Sequence, residues 1–542
     1  MIPFLPVVAY AETHYRFKYF FSWLKKSEPE ILADMPHRLE PDADLPVLLL
    51  VKDAHRYPAR IITVVADFFQ DGVYRTTSVL YDSAHASEQW QADEKFWWKI
   101  MPISFEGDRA RLFGFIDVEI VIQYSVRGVV AECKNDNYRS SSKRNYRVYR
   151  AQDPMPSLPG WHQGDAHTHS SATDDQVEYG APLEASVALC RAMGQQFFCV
   201  TDHSYDLDDS EASYLVNDPA LPKWHTLQSD IDRLNAANAS FAVVRGEEVS
   251  CGNGRNRNVH LLLLGTRKFF HGSGDGAEHW LHTEPEHRIT DVLEAMDDHT
   301  VAYAAHPAEA TPFLQWLLIR RGIWSADDMQ HENLSGIQIL NGERGEAFER
   351  GLEIWKRLLL EGRRIFIAAG NDAHGNFNSF RQIGIPFFTI REWDKQLFGK
   401  MRTGVSSSDL TEEGLLSGLR NGRSFITNGP VVTADITGED GQRATLGGML
   451  ECTEATLTVT GRSTEEYGSF TSVTVYGTAE HAGQEYIAHT FHFRGAREFT
   501  ETIDLPFPPG TGYLRIEACT EGGTGFDAEG FCYTNPIWFH IH

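Results

Sequence analysis

Long hydrophobic runs are missing from this chain. No apolar stretch reaches the ~20 residues that cross a bilayer as a helix, so no membrane partner is expected. Cysteine is scarce as well. Its seven copies (Cys133, Cys190, Cys199, Cys251, Cys452, Cys519 and Cys532) are odd in number and contain no CxxC pair. A disulfide framework or a structural zinc knuckle is therefore not expected, and Cys190 and Cys199, set in apolar runs, read as small core residues. Positive charge is in deficit. Lys and Arg total 49 against 75 Asp and Glu, which leaves a formal charge of −26. That excludes a broad basic surface for duplex nucleic acid but not a local basic pocket for one phosphate group. A P-loop, a Rossmann glycine fingerprint and a GxSxG elbow are all absent, which disfavours serine-triad chemistry. At the N-terminus no basic residue precedes the apolar stretch, and Pro3 and Pro6 interrupt it. A secretory leader is not expected, and the cytoplasm is the default.

Histidine is plentiful, with 23 copies among 542 residues, and the length calls for several domains. Residues 1–158 read as a β-rich domain, because LPVLLLVKD, ARIITVVADFF and DVEIVIQYSV are apolar and β-branched and turn residues separate them. The proline-rich stretch 151–160 reads as a linker. In residues 159–430 short apolar runs alternate with amphipathic stretches. The runs are FFCV (197–200), FAVV (241–244), VHLLLL (259–264), VAYAA (301–305), GIQIL (336–340) and IFIAA (365–369), after a first strand near Gly164. Such alternation predicts a parallel sheet covered by helices, in about seven β/α units. Residues 431–542 return to period-two alternation, as in ATLTVTG and YLRIEA, and read as a C-terminal β-sandwich.

Polar residues of one chemical type follow the runs of the middle region. They are Asp165-Ala166-His167-Thr168-His169 with Asp174 beyond, Asp202-His203, Glu247-Glu248, His306-Pro307 and Asp372-Ala373-His374. His260 lies near the start of its run and departs from this pattern. Gathering at the C-terminal ends of parallel strands is what the active mouth of a barrel requires, so a barrel is expected. His-X-His on a strand turns both imidazoles to one face. Imidazole suits zinc and iron, and carboxylates suit manganese and can bridge ions. His167, His169, Asp174, His203, Glu248, His260, His306, Asp372 and His374 are the candidate ligands. They exceed what one closed site uses, so two or three divalent ions are expected. Singly, each has a bland reading: Asp202 as a strand-end cap, Glu247 and Glu248 as a solvated pair, and Asp174 in competition with Asp175.

GDAHTHSSATDD, VTDHS, GEEVS, VHLLLLG, AAHP and GNDAHG resemble, in that order, the motifs of the PHP (polymerase and histidinol phosphatase) superfamily. The resemblance covers about residues 160–430. It implies an α/β fold, a distorted seven-stranded β/α barrel (PHP-like), here flanked by N- and C-terminal β-rich domains. It also implies a trinuclear site of zinc, manganese or iron. His167 and His169 resemble the family's first ligand pair, and Asp174 the acidic ligand after it. His203 resembles the ligand of the TDH motif, and Glu248 the bridging glutamate. His260, His306, Asp372 and His374 match the remaining ligands. GLRNGRSFITNGP (418–430) is similar to the carbaryl-hydrolase branch, which implies ester or carbamate substrates, whereas the wider superfamily implies phosphoesters.

The expected activity is hydrolysis by metal-activated water at a di- or trinuclear site. Asp202, Glu248 and Asp372 are its candidate catalytic carboxylates; Asp202, beside His203, is expected either to orient it or to cap its strand. Arg255, Arg257, Arg344 and Arg381 lie in polar loops and are candidates to grip a phosphate, with solvated surface arginine as the bland alternative. Three readings stand at this point: a phosphoesterase acting on a small-molecule substrate, an ester or carbamate hydrolase, and a non-catalytic metal-binding module. Self-association as an oligomer is left open.

Overall fold

The structure is a computed structural model. It describes residues 28–137, 144–173, 180–210, 213–272, 274, 283–379, 382–385, 388–391, 396–479, 483–504 and 510–542. Asp174 and Arg381 lie outside the described residues. The chain divides into two compact units. One comprises Met1–Pro154, Glu184–Gly194 and Asn376–Leu397. The other comprises Met155–Leu183, Gln195–Gly375 and Phe398–His542. No helix among the described residues is long and apolar enough to cross a membrane.

The first unit is built on antiparallel strands. Gly114–Val126 pairs with Ala59–Gln70 along most of its length. Its side chains alternate strictly, so Ile116, Val118, Ile120 and Ile122 face the core while Asp117, Glu119 and Gln123 face outward. Each inward branched residue contributes about 1.5–3 kcal/mol by leaving water. One buried carboxylate sits in this unit. Asp34 accepts hydrogen bonds from the backbone N–H groups of Phe377 (2.9 Å), Asn378 (3.0 Å) and Ser379 (2.9 Å), and from Ser379 Oγ (3.0 Å).

In the second unit the apolar runs of the middle region are strands. They are β1 (Trp161–His169), β2 (Phe197–Val200), β3 (Ala242–Gly252), β4 (Asn258–Leu264), β5 (Val301–Ala304), β6 (Leu334–Asn341) and β7 (Phe366–Gly370). A two-residue strand, β8 (Ala373–His374), follows. They do not form the expected seven-stranded β/α barrel. Strand accounts for 46% and helix for 16% of the structure, and the strands belong to a curled half-barrel sheet of 13 strands. β1, β2 and β3 are parallel, as are β5, β6 and β7, but β4 is antiparallel to both β3 and β5. The cause is covalent. Only residues 253–257 separate β3 from β4, and a parallel crossover needs roughly a dozen residues or more. A chain that must return so soon returns as a hairpin.

Nor does the sheet close on itself along its whole length. β1 changes partner halfway. Its first residues pair antiparallel with β9 (Arg402–Ser406), and its last two, Thr168 and His169, pair parallel with β8. Beyond β9 the sheet runs on through β10 (Ser424–Thr427) and into the C-terminal strands Glu529–Thr534, Gly510–Glu521, Ser469–Ala479 and Tyr486–Ala496. The inward residues of those strands share a core with the four-stranded sheet that contains Val431–Gly438 and Ala455–Arg462. On the other side of the half-barrel, helix α1 (Glu346–Leu360) buries Phe348, Leu352, Trp355, Leu358 and Leu359 at helical spacing, and Trp355 Nε1 donates to Ile365 O at 2.9 Å.

Candidate metal centre

β1 and β8 meet at the same end of the half-barrel as the ends of β2 and β3, and this meeting brings the two His/Asp motifs together. Gly370, the last residue of β7, makes the approach feasible. A Cβ there would lie 2.5 Å from His167 Cβ and 2.8 Å from its backbone nitrogen, so only glycine fits. Asp372 N then donates to His167 O at 2.9 Å. Behind the strand, Asp165 accepts from Asn371 N (3.1 Å), Asn371 Nδ2 (2.7 Å) and Gly399 N (2.8 Å). Burial pushes the Asp165 carboxyl up to about 6 despite those donors. Asp372 and His306 both hold positive φ, at 52° and 28°, a strained conformation of the kind that collects at functional sites.

Glu248 is the centre of the arrangement. It is fully buried, and imidazoles reach it from separate strand ends. Its Oε2 lies 3.1 Å from His167 Nε2, 3.3 Å from His169 Nε2 and 3.1 Å from His203 Nδ1. Its Oε1 lies 2.7 Å from His260 Nδ1 and 3.3 Å from His306 Nε2. Asp372 Oδ1 joins the first side, 3.0 Å from His169 Nε2 and 3.3 Å from His167 Nε2. His374 stacks on His169 with ring centroids 4.0 Å apart. Three sets each bring one potential ligand atom per residue within 4.8 Å of the others: His167, His169, Glu248 and Asp372; His203, Glu248 and His260; His169, His203 and His374.

The donor chemistry of this cluster fits divalent metal ions. His374 Nδ1 lies 3.1 Å from the carbonyl oxygen of Asp372, which can only accept, so the proton sits on Nδ1 and the Nε2 lone pair is left for the cluster. His167 behaves alike, with Nδ1 donating to Gln338 Oε1 at 2.9 Å. In the neutral ring its Nε2 lone pair then faces oxygens of Glu248 and Asp372. Lone pair against carboxylate repels unless a cation lies between them. With protons on the rings in place of an ion, the electrostatics meet the same demand for positive charge. Burial works against charge on Glu248, yet the neighbouring His260, His167 and His203 hold its carboxyl well below the usual carboxylate range. Asp372 is lowered likewise, its burial outweighed by His167 and His169. For His169 burial opposes the charged ring, but Asp372 and Glu248 together push it up to about 10.

His260 departed from the strand-end pattern for a geometric reason: β4 runs antiparallel, so its start, not its end, lies at the mouth, with His260 opposite Ser250. Glu247 is not a solvated partner of Glu248. It points to the other face, accepts from Ser204 Oγ at 2.7 Å and from Phe270 N at 3.2 Å, and burial pushes it well above the usual range. The Asp202 carboxylate makes its hydrogen bonds with the loop after β1 rather than with the His203 ring it was expected to orient. It accepts from Ser170 N (2.7 Å), Ser170 Oγ (2.6 Å) and Thr173 Oγ1 (2.9 Å) and fixes the segment that leads toward Asp174.

The arginines singled out from the sequence are elsewhere. Arg257 donates to Trp316 O at 2.9 Å and lies 4.2 Å over its ring. Arg344 packs over Phe348, Phe531 and Tyr533, and Arg255 is exposed. None of the three contacts the histidine cluster among the described residues. Instead the buried Arg321 donates to His260 Nε2, on the side of the ring away from Glu248. Nothing in its local sequence, RRGIW, distinguishes it from a surface arginine. Gln338, a lone polar residue inside an apolar run, did carry a signal. Tyr205, whose ring stacks 4.6 Å from His203, carries no signal in the sequence.

No protein-family model and no curated protein matches this chain. Among solved structures it is similar to a two-domain protein containing a predicted PHP-like metal-dependent phosphoesterase from Bacteroides vulgatus, at 13% identity and a TM-score of 0.34, over 71% of this chain and 99% of that one. It is also similar to trypsin-activated alpha-2-macroglobulin from Escherichia coli, at 8% identity and a TM-score of 0.16, over 95% of this chain and 24% of that one. At these scores neither likeness bears on the chemistry of this chain, which rests on its own residues. Neither is a carbaryl hydrolase, and that branch gains no support.

Proposed function

We propose that the chain is a metal-dependent hydrolase of the PHP type that cleaves a small-molecule phosphoester. One observation carries the reading: a buried Glu248 whose two oxygens face different imidazole sets, His167, His169 and His203 on one side and His260 and His306 on the other. A carboxylate placed so can bridge two ions, whereas an imidazole offers a metal one lone pair. In this reading His167, His169 and Asp372 hold one ion with Glu248, while His260 and His306 hold a second, and His203 and His374 complete the set with Asp174. His260 binds through Nδ1, with its proton moved to Nε2 and Arg321 turned off that nitrogen. Zinc, manganese and iron all accept such ligands. Ions held there would polarise the scissile bond and acidify water. Gln338 keeps the His167 ring in the tautomer that offers Nε2. Burial keeps bulk water from competing for Glu248 and Asp372. Arg321 supplies a fixed positive charge beside the cluster, which favours a phosphoester over a neutral ester. The division into 1–158, 159–430 and 431–542, with chemistry in the middle part, belongs to the same proposal.

The deciding experiment loads the purified protein with each metal, desalts it, and combines elemental analysis with hydrolysis of p-nitrophenyl phosphate, a phosphodiester and an aryl ester. About two or more ions per chain and chelator-sensitive phosphoester hydrolysis are expected. Less than about one equivalent, with activity indifferent to chelator, sinks the reading. Aryl-ester cleavage with no phosphoester cleavage transfers it to an ester or carbamate hydrolase. Tight metal without turnover leaves a metal-binding module.

A further inference from the structure

The mouth of the half-barrel has a rim of which the chemistry above uses only Arg321. β3 continues past Glu248 to Gly252, and β4 returns from Asn258, so the 253–257 turn stands beyond the carboxylate on the mouth side. β5 ends at Ala304, just before His306, so the segment that follows starts at the same mouth. It is laced to the turn. Asn258 N donates to Arg320 O at 3.0 Å, Gly322 N to Asn258 O at 2.7 Å, and Thr311 Oγ1 to Gly322 O at 2.9 Å, which closes the loop on itself. One end of this loop seats Arg321 against His260. The other carries the short helix Phe313–Leu318, which turns apolar side chains to solvent: Phe313 is 70% exposed, Leu318 62%, Leu317 55% and Trp316 43%. The rings of Phe313 and Trp316 stack at 6.1 Å. In a chain of net charge −26 the cations here are conspicuous, with Arg257 over Trp316 and Arg321 beneath.

We propose that this loop is the recognition platform for the substrate, and that the substrate is an anion carrying a bulky apolar group, such as an aryl phosphomonoester. The anionic end reaches the Glu248 cluster and Arg321. The apolar body lies on Phe313, Trp316 and Leu318, where burial against aromatic faces compensates for their exposure. Arg321 is only 7% exposed, which excludes a protein surface as the group that meets it. The patch, one six-residue helix, also falls well short of the roughly 20–30 residues a side of a stable protein interface. For the reacting end the proposal rests on the hydrolase reading; for the apolar end it does not.

The test is calorimetry on the metal-loaded full chain with two non-hydrolysable probes, biphenylphosphonate and methylphosphonate. Biphenylphosphonate is expected to bind at least about tenfold tighter, the worth of one buried ring. Trp316→Ala combined with Leu318→Ser, both at exposed positions, should erase that gap and leave methylphosphonate unchanged. Arg321→Gln should weaken both probes about tenfold, with the melting curve showing that the variant is folded. Equal affinity for the two probes in the native chain, or a gap that survives the double variant, overturns the proposal. The hydrolase reading fails separately. If the affinity gap is present but neither methyl phosphate nor biphenyl phosphate is cleaved, the platform stands without the chemistry. If both esters are cleaved with equal efficiency and the double variant changes neither, the chemistry stands without the platform.

Discussion

Two fully buried carboxylates, one in each compact unit, have opposite surroundings. Asp34 is held by backbone N–H groups of Phe377, Asn378 and Ser379, all neutral donors supplied by the fold. Glu248 is ringed by imidazoles, at least one of which, His167, in its neutral form directs a lone pair rather than a proton at it. A buried charge must be compensated where it sits. Asp34 has only these neutral donors, which do not cancel its burial, and they mark it as structural. Glu248 draws its compensation from positive charge on or between those rings, a proton or a metal ion, which marks it as functional. Burial alone does not separate the two; the identity of the partners does.

The largest effect that would sharpen this contrast is on turnover. Glu248→Gln keeps the shape but removes the charge and one metal-binding oxygen. It should lower kcat/KM on p-nitrophenyl phosphate by about 10³ or more and reduce bound metal by more than one ion, while the melting temperature moves little. Asp34→Ala should do the reverse. It leaves buried N–H groups unsatisfied at about 1–3 kcal/mol each, so stability falls by several kcal/mol with metal content intact. Turnover and metal unchanged in Glu248→Gln would erase the distinction. Next comes Gln338→Leu, which removes the acceptor for His167 Nδ1. A tenfold to hundredfold loss of metal affinity, roughly, is expected, since the ring is no longer held in one tautomer. Unaltered affinity in a competition with a chelator would show that Gln338 only fills space.

Asp34 makes a pH prediction as well. Burial pushes its carboxyl up to about 7, even though its hydrogen bonds pull the other way. The folded chain thus holds the proton more tightly than the unfolded chain. The associated stability is complete below the ordinary carboxylate range and is lost as pH rises through about 7. Asp34→Asn does not titrate there. Its stability relative to the native chain should therefore improve between pH 5 and pH 8, by no more than about 4 kcal/mol. Urea curves that differ by a constant amount across that range would contradict it. The smallest effect belongs to Arg344. Arg344→Ala should cost about 1 kcal/mol through its lost aromatic contacts and leave KM for the phosphoester unchanged. A raised KM would return Arg344 to the site.

Much of the middle region was legible because its information is local. Six apolar runs and a first strand near Gly164 mark strands, and polar residues just after several of them mark one end of a sheet. Strand direction was not legible in the same way. Asn253-Gly254 in the turn after β3 was a hairpin signal, but the apolar run of β4 reads alike for parallel and antiparallel pairing. The β/α barrel expectation failed on that ambiguity, and on the C-terminal strands, whose alternating pattern shows a sheet without naming the strand it joins.

The sequence by itself determined the elements and the residue types: where strands run, and that histidines and carboxylates cluster at their ends. Tertiary structure alone decided that β1 pairs with β9 at one end and β8 at the other, which brings Asp372 beside His167 and His169. It alone divided Glu248's oxygens between two imidazole sets, and put Arg321 rather than Arg255, Arg257 or Arg344 against the cluster. The reason is physical. Side-chain periodicity follows from the geometry of one strand, whereas pairing partner and direction depend on loop lengths and on contacts between residues hundreds of positions apart.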